Sequence, residues 1–174
     1  MKDRTPAVDP GASSDLAFTV DACPVAQPRA RHGRLPNGAP VTYEAPKAHP
    51  IHVFKLAVQA AARAAMAGSP APLYGPGEAV RLWLYFCLPR PAKYDAFCGR
   101  GKDRRHKYPA DALPHTAKPD ADNLAKAAKD ALKGIVWHDD SQVYRMVVTK
   151  QHVARGGLPG LTVLTRAGEK GGSR

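Results

Sequence analysis

Cysteine is scarce in this chain, and acids are outnumbered by bases. The 174 residues include three cysteines, Cys23, Cys87 and Cys98. An odd number without paired spacing excludes a disulfide framework and a zinc ribbon, and fits buried or free thiols in a reducing compartment. His49 and His52 with Cys98 have zinc-binding chemistry, but nothing in their spacing demands a metal. No run approaches the roughly 18–20 apolar residues of a membrane span. Met1-Lys2-Asp3-Arg4-Thr5-Pro6 lacks the apolar core of a secretory signal. These absences leave the cytoplasm as the expected compartment. A glycine-rich phosphate loop, a Gly-x-Ser-x-Gly elbow and a His-Glu-x-x-His pair are all missing, and there is no internal repeat.

What is abundant is positive charge. Twenty-six lysines and arginines face 15 acids, for a net charge of +11. A surface this basic selects polyanions as partners. Hydrophobic residues make up 44% of the chain, which at this length predicts one domain with a substantial core. Seventeen prolines and 15 glycines predict long loops around it.

Taken in order, residues 1–15 are polar and proline-containing, as in a disordered leader. A single domain is expected over 16–166, and a disordered polar tail over 167–174. Leu16-Ala17-Phe18-Thr19-Val20 has strand composition. Residues 24–50 predict a loop whose Arg29, Arg31 and Arg34 form an arm suited to phosphates, with a brief strand at Val41-Thr42-Tyr43. Between His49 and Gly68, Val53, Leu56, Ala57, Ala60, Ala61, Ala64 and Ala65 recur at helical spacing. Glu78 to Leu88 alternates but is apolar on both faces, the mark of a central strand. Residues 89–119 form a long loop carrying Arg90, Lys93, Arg100, Lys102, Arg104, Arg105, Lys107 and Lys118. Tyr94, Phe97 and Tyr108 lie between them, as they would if nucleotides stack there. This loop is expected to order only on DNA. Asp120 to Lys133 predicts a second helix, with Leu124, Ala127, Ala128, Ala131 and Leu132 as its apolar stripe and Gly134 as its left-handed cap. Strands are predicted at Gln142–Val153 and Leu161–Thr165. The sum is an α+β fold, a small mixed sheet packed by two helices.

The acids are grouped. Lys118-Pro119-Asp120-Ala121-Asp122-Asn123-Leu124-Ala125-Lys126 is answered by Trp137-His138-Asp139-Asp140-Ser141-Gln142-Val143. In a regular helix, side chains at i and i+2 point about 200° apart. At a helix entrance the first acid is still non-helical, so Asp120 and Asp122 can converge. One of Asp139 and Asp140 can join them, since neighbours on a strand face opposite ways. Carboxylates so placed repel unless a cation intervenes. Mg²⁺ suits the group, because it takes oxygen ligands and completes its octahedron with water and phosphate; Mn²⁺ is the expected substitute. Such a centre supports phosphodiester cleavage, with Lys126 one helical turn from Asp122 placed to meet the phosphate. The plainer reading makes Asp120 an N-cap, Asp122–Lys126 a helix ion pair, and Asp139-Asp140 a turn.

At these residues the chain resembles the RusA family of Holliday junction resolvases, small endonucleases common in prophages. The likeness rests on the two acidic motifs, on Asp130-Ala131-Leu132 and Gly134, and more loosely on Lys150, Pro89-Arg90-Pro91 and His115-Thr116. It implies a homodimer of α+β subunits with one Mg²⁺ site each. Such a dimer cuts four-way DNA junctions by paired symmetric nicks in recombination and repair, inside the bacterial host cell. Carried over by position, the catalytic acids are Asp120, Asp122 and Asp140, with Asp139 adjacent and supporting and Lys126 the functional lysine. Lys150 joins the DNA contacts. Neither a small-molecule cofactor nor a membrane partner is implied. The proline-rich N-terminal region and the loop before Lys118 are longer than the family core. The rival readings are a nuclease acting on flaps or forks, and a non-catalytic DNA-binding module.

Overall fold

The computed structural model describes residues 15–29, 31–43, 45–69 and 71–168. Of the expected leader over 1–15 and tail over 167–174, residues 1–14 and 169–174 lie outside the described residues. Ala167 ends β9 and the Gly168 amide donates to the Ala79 carbonyl at 2.6 Å, so these two belong to the fold. Asp15 belongs to the fold: its Oδ2 accepts from the Ala167 amide at 2.6 Å and from the Tyr74 hydroxyl at 3.3 Å.

The elements run β1 (Leu16–Val20), β2 (Arg31–Arg34), β3 (Pro40–Tyr43), α1 (Pro50–Ala65), β4 (Val80–Leu88), β5 (Phe97–Cys98), β6 (Arg105–His106), β7 (Leu113–Pro114), α2 (Ala121–Leu132), β8 (Val143–His152) and β9 (Gly160–Ala167). Five strands form the main sheet in the order β1-β9-β4-β8-β7. β4 is central as expected, parallel to β8 and antiparallel to β9. This is the mixed sheet of an α+β fold.

Both helices lie on one face of that sheet. Val80, Leu82, Leu84 and Phe86 of β4 meet Ile51, Phe54, Val58 and Ala62 of α1 and Leu124, Ala127, Ala128, Ala131 and Leu132 of α2, all in one buried core. Each large side chain buried there contributes about 1.5–3 kcal/mol, while the alanines let the two helices sit close together. α2 ends where expected, with Gly134 at φ +77°, a backbone conformation that costs glycine little.

Two stretches differ from the expectation. The arginine arm is a hairpin: β2 pairs β3 from Arg31 opposite Tyr43 to Arg34 opposite Pro40. Pro36-Asn37-Gly38 supplies its turn, Gly38 at φ +81°, the Leu35 amide donating to the Ala39 carbonyl and Asn37 Oδ1 accepting from the Ala39 amide. This is the three-residue hairpin loop with glycine at its left-handed position.

The stretch 89–119 is folded rather than structureless. It holds two 3₁₀ turns, the β5–β6 hairpin and β7, which pairs with the end of β8. Its organiser is Arg90. The guanidinium donates through Nε to Asp95 (3.2 Å), through Nη1 to the carbonyls of Asp111 (2.9 Å) and Val153 (3.5 Å), and through Nη2 to those of Tyr94 (3.3 Å) and Pro109 (2.6 Å). All five N–H donors of the group are engaged, and its side chain is 4% exposed. Arg90 therefore leaves the set of expected DNA contacts, because it is the clamp of its own loop.

No described helix is long and apolar enough to cross a membrane.

Candidate metal and DNA site

Asp120 is the N-cap of α2, with extended backbone at ψ 147°, yet its side chain makes no capping hydrogen bond. Capping is the usual reason for an aspartate in this position, and it does not apply here. Asp122 follows in the first turn, exposed. It forms no ion pair with Lys126, which is also exposed. Both carboxylates thus stand unengaged among the described residues, at the helix end whose dipole favours anions.

The entrance to α2 is held from two sides. The Lys150 ammonium donates to the carbonyls of Ala117 at 2.7 Å and Pro119 at 2.8 Å, fixing the chain that leads into Asp120. This uses donors of Lys150 that the sequence reading assigned to DNA. From the other side, the Gln27 amide donates to the Asn123 carbonyl at 2.9 Å. Between these supports an open pocket of about 540 Å³ is lined by Ala26, Gln27, Arg29, Lys118, Pro119, Asp120 and Asn123. Gln27 and Asn123 were missed from sequence. Asn123 adjoins the Asp-x-Asp pair, but Gln27 carries no motif and reaches the site only through tertiary packing.

The second acidic motif folds as a short 3₁₀ turn at Asp140–Gln142, and its two aspartates do different things. Asp139 caps that turn, its Oδ1 accepting from the Ser141 amide at 3.0 Å, while Oδ2 pairs with Lys133 at 2.6 Å. Lys133 is the first cause, and the amide the second, of a carboxyl group held well below its ordinary range. Asp140 turns towards α2. Its Oδ1 accepts from the indole N–H of the buried Trp137 at 3.0 Å, and its Oδ2 lies 3.6 Å from the Lys129 ammonium. Gln142 anchors the turn: its Oε1 accepts from the His138 and Asp139 amides, and its Nε2 donates to the carbonyls of Gly75 and Glu78.

The four acids are therefore not gathered at one point. Asp140 is engaged by Trp137 and Lys129 and Asp139 by Lys133 and Ser141, while Asp120 and Asp122 have no such partners among the described residues. Among the described residues no three His, Cys, Asp or Glu side chains come close enough together to hold a metal ion. The residues present still fit Mg²⁺ at the helix entrance, since that ion is commonly held by one or two carboxylates with water and phosphate completing its shell. The zinc combination is not formed. His49 Nδ1 caps α1 by accepting from the Ile51 amide at 3.1 Å, and the His52 ring contacts the Pro46 carbonyl at 3.1 Å.

Of the remaining expected DNA contacts, Arg29, Arg34, Lys93, Arg100, Lys102, Arg104, Arg105, Lys107 and Lys118 are exposed; the Arg31 side chain lies outside the description. Among the loop aromatics, Tyr94 and Tyr108 pack edge to face on each other. Phe97 alone is strongly exposed, at 50%, stacked on His106 with the Arg104 guanidinium 4.3 Å from its ring.

The model of the endodeoxyribonuclease RusA family matches residues 21–164, a span that includes both acidic motifs and the whole of β4, α2 and β8. This chain belongs to the RusA endodeoxyribonuclease family. A relative, the uncharacterized protein YqaN of Bacillus subtilis (strain 168), is 31% identical over 135 residues, covering 78% of this chain and 86% of its own length. Membership makes this RusA-family chain a DNA endonuclease and indicates Holliday junction resolution. Nucleases of this family generally depend on a divalent metal.

Proposed function

We propose that the protein is a Mg²⁺-dependent, structure-selective endonuclease that resolves four-way DNA junctions by paired symmetric nicks, acting as a homodimer. The observation that carries this reading is the pair of unengaged carboxylates, Asp120 and Asp122, at the start of α2 beside a pocket with Arg29 and Lys118 on its wall. Asp120 and Asp122 would hold the metal, and Asp140 is the third acid of the set. Bound there, Mg²⁺ supplies an acidified water and offsets charge on the cleaved phosphate.

The chain's own residues do the rest. Lys126, exposed and without an ion pair among the described residues one turn beyond Asp122, offers an ammonium to the phosphate as its charge grows. Arg29 and Lys118 draw the strand into the pocket, and Lys150 keeps the helix entrance in place. Asp139, bound to Lys133, has a structural task in the turn. The dimer would use the apolar side chains left exposed, Val53 and Leu56 on α1 and Met146 on β8. The Val80–Phe86 strand does not contribute, since its apolar face is spent on the core.

The test is a labelled synthetic four-way junction and a matched linear duplex, each incubated with the protein with and without Mg²⁺. Symmetric nicks in the junction alone, only with Mg²⁺, are expected. Equal cutting of flaps and forks makes it a general branched-DNA nuclease. Binding without cutting under all conditions makes it a non-catalytic module and overturns the proposal.

A further inference from the structure

The sheet face turned away from the helices carries a basic row that belongs to neither the acidic motifs nor the loop. On β4, Leu82, Leu84 and Phe86 point to the core, so Arg81, Trp83 and Tyr85 point the other way. The register places Arg81 opposite Arg145 of β8 and opposite Arg166 of β9. Three guanidinium side chains therefore stand abreast on neighbouring strands. The next row is Val147, Trp83 and Leu164, and the one after it Thr149, Tyr85 and Thr162. A register shift after Val80 sets Tyr144 beside the arginines; its hydroxyl accepts from Arg81 Nε, and its ring lies 5.7 Å from that guanidinium.

Directly opposed cross-strand residues have Cβ atoms about 5 Å apart, and like charges in such pairs destabilise a sheet. Here the unfavourable pairing occurs twice in one row. Arg81 is engaged by Tyr144 and by further contacts, so it is the anchored middle. Arg145, which is exposed, and Arg166, half-buried, make no ion pair among the described residues. An anion lying across the row would relieve the repulsion.

We infer that this row binds the sugar–phosphate backbone of a duplex arm of the DNA substrate. Charge decides against a second copy of the chain, since two-fold pairing over the row would set Arg145 and Arg166 against the same two guanidinium groups of the copy. The aromatic side chains decide against a single strand. Tyr85 is buried and Trp83 half-buried, and the one exposed ring, Tyr144, has its hydroxyl on Arg81 and that guanidinium 5.7 Å from its centre. The face therefore lacks the succession of open rings on which the bases of a single strand stack. From Arg145 to Arg166 the row spans two inter-strand spacings, about 10 Å. That is close to the width of a major groove, about 12 Å, so the outer arginines can reach phosphates on its two sides. The row lies at the start of β8, just beyond the Asp140 turn, and about 17 Å along that strand from Lys150, which holds the entrance to α2. An arm leaving the helix entrance reaches it by passing round the sheet edge.

The inference rests on the branched-DNA reading of the acidic site, and its test separates the two. Full-length Arg145→Gln/Arg166→Gln is compared with wild type by fluorescence anisotropy on a labelled four-way junction, without metal, over a salt series. With about 0.9 of slope per neutralised phosphate, the log–log salt slope should fall by nearly two and affinity at moderate salt by tenfold or more. The melting temperature should hold or rise, because repulsion is removed, and the mass in light scattering should not change. Arg145→Lys/Arg166→Lys should recover the slope. An unchanged salt slope, a lowered melting temperature or a change of mass overturns the inference, the last by making the face an interface between copies. If the glutamine variant loses the slope while the wild type cuts no branched DNA, the nuclease reading fails and the sheet-face site stands. If the wild type cuts and the slope is unchanged, the site fails and the nuclease reading stands.

Discussion

The indole N–H of Trp137 donates to the carboxylate of Asp140 at 3.0 Å, from a ring that is wholly buried. A rigid core side chain thus aims the last acid of the set. Trp137→Phe keeps most of the packing and deletes the donor. It should lower kcat on a four-way junction by about tenfold or more with little change in KM, the size expected from losing one hydrogen bond to a charged group at about 1.5–3 kcal/mol. If Trp137→Phe instead raises KM alone, the indole orders the DNA surface and not the acid.

Asp120 separates function from folding. A capping aspartate replaced by alanine typically costs about 1 kcal/mol, but this side chain makes no capping bond. Asp120→Ala should therefore shift unfolding free energy by less than about 0.5 kcal/mol in urea titration while abolishing cleavage and sparing junction binding. Asp122→Asn should do the same. A loss of stability at the usual capping level, with cleavage intact, would return Asp120 to a structural role.

Much of this was legible in the sequence, for stated reasons. Period-two patterning located β4, helical spacing and Gly134 bounded α2, and the two acidic motifs carried the resemblance that the family match bears out. What was not legible depends on contacts between distant residues. Arg90 looks like any cation of a basic loop until Asp95, Asp111 and Val153 close around it. The same holds for Lys150, whose partners Ala117 and Pro119 are more than thirty positions away and offer only carbonyls. Nor does spacing show that Asp140 is held by Trp137 and Lys129.

Arg90 and Arg100 should accordingly behave as opposites. Arg90→Ala leaves Asp95 to Arg155 but strands the carbonyls of Tyr94, Pro109, Asp111 and Val153, at about 1–3 kcal/mol for a buried one such as that of Val153. It should lower the melting temperature and open 89–119 to limited proteolysis. Arg100→Ala, on an exposed side chain, should leave both unchanged and weaken DNA binding with a shallower salt dependence. Equal proteolysis of the two variants would mean that the clamp does not hold the loop.

His115 sets a pH dependence of stability. Burial lowers its pKa first, and the neighbouring His152 and Lys150 add to the effect. Its Nδ1 is buried without a partner, and its ring lies 4.5 Å from that of His152. A depressed folded value means that, just below the ordinary histidine pKa of about 6.5, the unfolded chain binds the proton and the folded chain does not. Stability should thus be full above about pH 6.5 and decline as pH falls below it. His115→Gln should flatten that decline in thermal melts between about pH 5 and 7, and an unaltered pH profile would assign it to another group.

The last prediction concerns assembly. Two ligatable duplexes require nicks at equivalent positions on opposing strands, and each chain carries one set of acids. A two-fold dimer presents two sets related by the junction's own symmetry. Val53 and Leu56, 70% and 63% exposed on the outer side of α1, are large apolar groups with no partner in the core of their own chain. Light scattering should give about twice the 18.6 kDa chain mass, and Val53→Glu/Leu56→Glu should return the monomer with the fold intact. On a supercoiled cruciform plasmid the wild type should yield mainly linear product, both nicks falling within one bound complex. The monomeric variant should yield nicked circles, because a lone subunit must release and rebind between cuts. A wild-type monomer that linearises the plasmid would sink the paired-nick mechanism, and a dimer that survives the double substitution would move the interface off α1.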